Sequence, residues 1–218
     1  LGIEVVIGVR DPDKGEEAVA ALRNEGIHAS AIGFDATKPS TFQAVYDHFA
    51  SQYGRLDILV NNAGIALGDF FAPNASTVSQ DVLRRTFDVN FFAVIELTQI
   101  LLPLIRQAPA GRIVNLSSIL GSLGTHCAPD SPIAPAKEVA YNASKTALNA
   151  YTVHLAAELA DTPIKVNSAH PGWVKTDMGG PNAPMDIADG GKTSVQLATL
   201  PADGPTGGFF HMGEALPW

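Results

Sequence analysis

Tyr141 and Lys145 stand four residues apart in the stretch AYNASKTALNAYTVHLAAELA. The stretch is rich in alanine and reads as a helix, so the two side chains share one face. A phenol titrates near about 10 and is a reluctant proton donor or acceptor at neutrality. An ammonium beside it favours the phenolate and lowers that value. Bringing it to neutrality takes roughly three units, or about 4 kcal/mol of differential interaction. The pair is therefore either a proton donor with its tuning group or a polar stripe on a solvated helix.

The elements that would position such a pair alternate along the chain. IEVVIGV (3–9) is a continuous β-branched run, as a buried parallel strand reads. DPDKGEEAVAALRNEG has acids early and Gly26 at its end, as a capped helix does. IHASAIGFD predicts a second strand, KPSTFQAVYDHFASQYG a second helix, and LDILVNNAG a third strand running into a loop. A long helical region spans roughly 78–105. GRIVNLSS is a fourth strand, IKVNSAHPG a fifth, and GGFFHM a sixth. This alternation predicts an α/β fold with a doubly wound, Rossmann-type parallel sheet in one domain over 1–218. In such sheets ligands bind beyond the carboxyl ends of the strands. VRD (9–11), NNAG (61–64), SS (117–118) and HPGW (170–173) all fall there.

The bulk numbers fit one folded domain. Of 218 residues, 46% are apolar and 17% charged, ample for a core. The net charge of −8 argues against nucleic acid, which needs a basic face. One cysteine, Cys127, excludes an internal disulfide and suits a reducing, cytoplasmic compartment; a single loop thiol reads first as an ordinary residue. The most apolar stretch, NFFAVIELTQILLPLI, holds Glu96 and Gln99 and reads as too short and polar to span a bilayer. The six histidines show no ligand spacing such as H-E-x-x-H, so no metal site is expected.

YNASK, LVNNAG, VNLSS, FDVNFF and HPGWVKT, in this order across nearly the whole chain, resemble the short-chain dehydrogenase/reductase family, and its carbonyl reductase-like members in particular. The resemblance implies that Tyr141 protonates a carbonyl oxygen as hydride arrives, and that Lys145 bonds the nicotinamide ribose and lowers the tyrosine pKa. It implies that Ser118 holds the substrate carbonyl, with Ser117 the second candidate. Asn90 corresponds to the asparagine that bends a helix and anchors a water linking Lys145 to solvent. The bland alternatives are a strand-end hydroxyl capping its loop and a helix-interior amide with a structural bond. A ketone becoming an alkoxide needs donors aimed at its oxygen, and Ser118 and Tyr141 are both donors.

For the cofactor, the resemblance implies contacts from Asn62, Ala63 and Gly64 of NNAG, with Asn61 tying neighbouring strands. It also implies contacts from Asp35 to the adenine, and from Pro171, Gly172, Val174 and Thr176 to the nicotinamide or pyrophosphate, beside Tyr141 and Lys145. Asp35 also reads as a turn former. Val9 occupies the strand-end place where an acid would grip both ribose hydroxyls, and Arg10 follows it, a fork suited to a 2′-phosphate. NADP(H) is expected over NAD(H); otherwise Arg10 pairs with Asp11 or Asp13.

Two departures from the family pattern stand out. The family's opening strand and its T-G-x-x-x-G-x-G turn, which cradles pyrophosphate on a helix N-terminus, do not precede IEVVIGV. The sequence reads as part of a longer protein; taken alone, it is expected to leave two neighbouring strands without partners and to give weak dinucleotide affinity and no measurable turnover. The gap from Ser118 to Tyr141 is also longer than usual. Its proline-rich segment, 119–138, reads as a loop over the pocket in which His126 could meet substrate, and it favours a monomer or dimer over a tetramer. The loops 65–71, 172–180 and 181–187 are apolar with few charges, which favours small uncharged ketones or aldehydes. The expected function is an NADP(H)-dependent oxidoreductase interconverting a carbonyl and an alcohol. The alternative is a non-catalytic dinucleotide-binding sensor, or an inactive fragment, on the same scaffold.

Overall fold

The computed structural model describes residues 2–218. Seven strands and eight α-helices follow in order: β1 Val5–Val9, α1 Pro12–Asn24, β2 Ala29–Gly33, α2 Phe42–Gln52, β3 Ile58–Asn61, α3 Gln80–Phe87, α4 Ala93–Ile105, β4 Arg112–Leu116, α5 Leu123–Cys127, α6 Val139–Glu158, β5 Lys165–Ala169, α7 Ile187–Gly190, α8 Lys192–Ala198, β6 Phe209–His211 and β7 Glu214–Ala215. All six expected strands are present. β7, α7 and α8 are additions, too short to show a period in sequence.

Local chemistry sets the helix ends. Asp11 caps α1, accepting from the Asp13 amide at 3.1 Å, with Pro12 in the first turn. Ser79 caps α3, accepting from Val82 N at 3.2 Å. The expected long helical region is continuous from Gln80 to Ile105, but a π turn at Asp88–Phe92 divides it into α3 and α4. At 26 residues it extends well beyond its most apolar stretch, and by length and composition alone it would suit a membrane span. Half of its most apolar window is buried in the fold, where Leu97, Leu101, Leu104 and Ile105 join a core with Phe42, Leu59, Ile113 and Val166.

The strands form two hydrogen-bonded sheets. β3, β4, β5 and β6 run parallel, and β7 adds antiparallel to β6; β1 and β2 pair parallel with each other alone. Among the described residues no ladder joins β1 to β3, so both have an unpartnered edge, as the departure from the family pattern predicted. Val5, Val6, Ile7 and Gly8 of β1 and Ile58, Leu59, Val60 and Asn61 of β3 line a common, largely apolar slot of about 880 Å³ between the sheets. Ile32 and Phe34 packed against the central core, and a hydrogen bond from Tyr53 to Glu4 at 2.6 Å, join the two units, without main-chain bonds across the gap.

Candidate active site

Side chains cross the central strands as a buried polar ladder. Asn61 on β3 donates to Thr98 Oγ1 on α4 at 3.0 Å and to Asn115 Oδ1 on β4 at 2.9 Å. Asn115 donates in turn to Thr152 Oγ1 on α6 at 2.9 Å, and Thr152 meets Ser168 Oγ on β5, also at 2.9 Å. Asn61 does tie neighbouring strands; its partners in the ladder carry no mark in the sequence. Buried polar groups must be paired, and here the pairing clamps β3, β4, β5 and α6 together beneath their carboxyl ends.

Above it lies the chemistry. Tyr141 and Lys145 sit in the first two turns of α6, both buried, with the Lys145 ammonium 5.6 Å from the centre of the Tyr141 ring. The Ser118 hydroxyl lies near the Tyr141 phenol and favours its ionised form. Ser117 Oγ instead turns to the Lys145 carbonyl at 3.4 Å, so of the two serines only Ser118 faces the phenol. Gly121 lets the segment after Ser118 lie against α6: a Cβ there would come within 2.7 Å of the Lys145 backbone.

The electrostatics correct one expectation. Burial pushes the Tyr141 phenol up to about 12, with the Ser118 hydroxyl pulling the other way. Lys145 does not reverse this. Its ammonium donates to the Leu116 carbonyl at 2.7 Å, and burial pushes it down to about 8. Burial is the larger cause, so Tyr141 keeps its proton across the neutral range.

Asn90 lies in the π turn and is fully buried. Its amide donates to Ile65 O at 2.9 Å and to Ser144 Oγ at 3.0 Å, and its Oδ1 accepts from Ile65 N at 2.8 Å. The expected helix distortion is present. The side chain is committed to the loop after β3 and to α6.

Two residues escaped the sequence reading. Glu138, fully buried, caps α6: it accepts from Ala140 N at 3.1 Å and from Tyr141 N at 2.6 Å. Asn74 braces it, donating to Glu138 Oε1 at 3.2 Å and accepting from Val139 N at 3.0 Å. Gly68 leaves room for the carboxylate, since a Cβ there would meet it at 2.7–2.9 Å. The signal was an acid three residues before the tyrosine, a cap spacing.

The segment 119–138 is more ordered than a loop. It holds a 3₁₀ turn at Ile119–Gly121 and then α5. His126 faces inward: its Nε2 donates to Leu120 O at 3.0 Å and its Nδ1 accepts from Lys137 Nζ at 2.7 Å. It is therefore bound within its own segment, neither free in solvent nor offered to a ligand. Cys127 is exposed.

A cavity of about 920 Å³ is lined by Arg10, Asp35, Asn62, Ala63 and Gly64, which the structure brings together as expected; Ser118, Tyr141 and Lys145 are not part of its lining. Arg10 is exposed and, among the described residues, forms no ion pair with Asp11 or Asp13. Asp35 accepts from Thr37 N at 2.9 Å and Thr37 Oγ1 at 2.7 Å, and those bonds hold its carboxyl below the usual range. Its turn-forming role is thus realised while it lines the cavity. Pro171, Gly172, Val174 and Thr176 lie past β5 and do not line it; Val174 is buried and bridges to Met185. Two of the apolar loops converge near the phenol: Phe70 packs edge-on to Tyr141 at 5.1 Å, and Phe71 lies 6.3 Å from Trp173.

Residues 1–186 match the short chain dehydrogenase family. The chain is 32% identical over 257 residues to carbonyl reductase [NADPH] 1 of Mus musculus, covering 99% of this chain and 89% of that protein. It is 29% identical over 276 residues to salutaridine reductase of Papaver bracteatum, at 98% and 88% coverage. Among solved structures, carbonyl reductase Sniffer of D. melanogaster superposes with a TM-score of 0.83 at 29% identity, over 99% of this chain and 88% of that one. A short-chain dehydrogenase/reductase from Burkholderia multivorans with bound NADP gives 0.81 at 27% identity, over 100% and 89%. The grouping of Ser118 with Tyr141 and Lys145 of α6, the family match over residues 1–186 and the 32% identical relative place this chain in the short-chain dehydrogenase/reductase family.

Proposed function

We propose that the protein is an NADP(H)-dependent carbonyl reductase working on small, uncharged ketones or aldehydes. The observation that carries this reading is the grouping of Ser118, buried Tyr141 and buried Lys145, with the Lys145 ammonium 5.6 Å from the phenol ring. Relatives whose names include NADPH support the cofactor. So does Arg10, an exposed guanidinium lining the cavity of a chain with net charge −8.

The chain's residues fit such a group at both ends. Arg10 would hold a 2′-phosphate, Asn62, Ala63 and Gly64 the adjoining sugar, and Lys145 the ribose next to the nicotinamide. Bound NADPH supplies the hydride. Ser118 and Tyr141 direct two hydroxyls at the substrate oxygen. Tyr141 Oη gives up its proton to the forming alkoxide, and Ser118 continues to hold that oxygen as charge develops. A phenol near about 12 holds its proton at neutrality, ready for that donation. Phe70, Phe71 and Trp173 would face the substrate's apolar body. We read the protein as cytoplasmic, and as a monomer or dimer, from its single cysteine and its long 119–138 segment.

The test is turnover of a ketone and aldehyde panel with NADPH and with NADH, for wild type and Tyr141→Phe. NADPH-dependent reduction that is lost in the variant is the expected result. A variant that turns over like wild type would remove the mechanism.

A further inference from the structure

β5 ends at Ala169, and the next side chain, His170, reaches two separate stretches of main chain. Its Nδ1 accepts from the Ile119 amide at 3.3 Å and from the Gly172 amide at 3.4 Å. Ile119 directly follows Ser118. Gly172 lies in the turn after β5. One ring nitrogen thus joins the segment that carries the substrate-facing hydroxyl to the turn on the neighbouring strand.

The histidine is held firmly from behind. Its own amide donates to Phe210 O at 2.8 Å, and its carbonyl accepts from His211 Nδ1 at 2.9 Å. A carbonyl can only accept, so His211 carries its proton on Nδ1. An Nδ1 that accepts from two amides must itself be bare, so His170 carries its proton on Nε2. The two rings stand 4.8 Å apart with opposite tautomers. Burial, with His211 as the lesser cause, pushes His170 down to about 3, so the ring remains an uncharged acceptor.

We propose that His170 is a positioning residue: its Nδ1 fixes Ser118 against Tyr141 and, through the same atom, sets the Pro171–Gly172 turn. It touches no reacting atom. This rests on the reading of Ser118 as the group that holds the substrate oxygen. An asparagine at 170 places its Oδ1 where Nδ1 stands and keeps the acceptor; leucine fills similar space and removes it.

The experiment reads the bond first and the reaction second. Nitrogen NMR of the histidine-labelled protein is expected to show His170 as the Nε2–H tautomer; an Nδ1–H ring would overturn the proposal. Amide exchange at Ile119 and Gly172 should accelerate about tenfold or more in His170→Leu and stay near wild type in His170→Asn. Both readouts need no turnover, so they stand or fall apart from the reductase reading. In kinetics, His170→Leu should lose about 10- to 100-fold in kcat with a smaller change in the KM of the carbonyl substrate. His170→Asn should return to within about threefold of wild type. Leucine and asparagine variants that are equally impaired, or a leucine variant with wild-type kcat and exchange, would sink it.

Discussion

β4 and β1 are both five-residue parallel strands, yet they live in different surroundings. β4 has a partner on each side, and the ladder from Thr98 through Asn61, Asn115 and Thr152 to Ser168 pins its neighbourhood from within. β1 has β2 on one side and the apolar slot on the other. The strands beneath the proton-handling corner are thus fixed by paired polar groups. The part that carries Arg10 is attached mostly by apolar packing, with one hydrogen bond from Tyr53 to Glu4 at 2.6 Å. Precision is concentrated where a hydroxyl must be aimed within tenths of an ångström, and is relaxed where a cavity need only be lined.

That contrast can be broken at several points. The largest effect is expected in the rigid corner: Tyr141→Phe should cost about 10²–10⁴ in kcat while leaving the melting temperature near wild type, because only a hydroxyl is removed. A stability loss as large as the activity loss would make Tyr141 a packing residue. Next, hydrogen exchange should divide the molecule, with Val5–Val9 amides opening about 100-fold more readily than those of Arg112–Leu116. Equal protection would show that the slot is no weakness. Arg10→Ala, in the looser unit, should weaken NADPH about tenfold and leave NADH nearly unchanged, in a titration of each nucleotide.

The smallest effect is on acid stability. His170 is held near 3 in the fold against an ordinary value of 6.5. Between those limits the unfolded chain binds the extra proton, so its contribution to stability is present above about 6.5 and fades as pH falls towards 3. The slope from this one group is at most about 1.4 kcal/mol per pH unit. Denaturant melts between mildly acidic and neutral pH should show it in wild type and show it flattened in His170→Asn.

Much of this was legible in sequence. β-branched runs between capped helices indicated the order of strands. The four-residue spacing placed Tyr141 and Lys145 on one face, and the NNAG and SS stretches fell at strand ends where the site lies. What resisted reading depends on burial and on partners far along the chain. Glu138 is an ordinary charged residue until Asn74, 64 positions earlier, folds against it. His170 is one more loop histidine until the Ile119 amide arrives from across the sheet. The direction of the Tyr141 shift depends on how much water is excluded, and that cannot be counted from residue types. The 119–138 segment misled because its prolines hid the short helix ahead of them.

The π turn at Asp88–Phe92 holds one residue more than an α-helical path would. Deleting a single residue there would let α3 run smoothly into α4, with better helical geometry and no lost length of core. The helices on either side would keep their phase, because the π turn already absorbs the extra residue, and the change would fall on the turn itself. Asn90 would swing away from Ile65 and Ser144, and the loop after β3 would lose its tether. A tidier helix would make a poorer enzyme, so shortening by one amino acid should be rejected here far more sharply than almost any exchange of side chain.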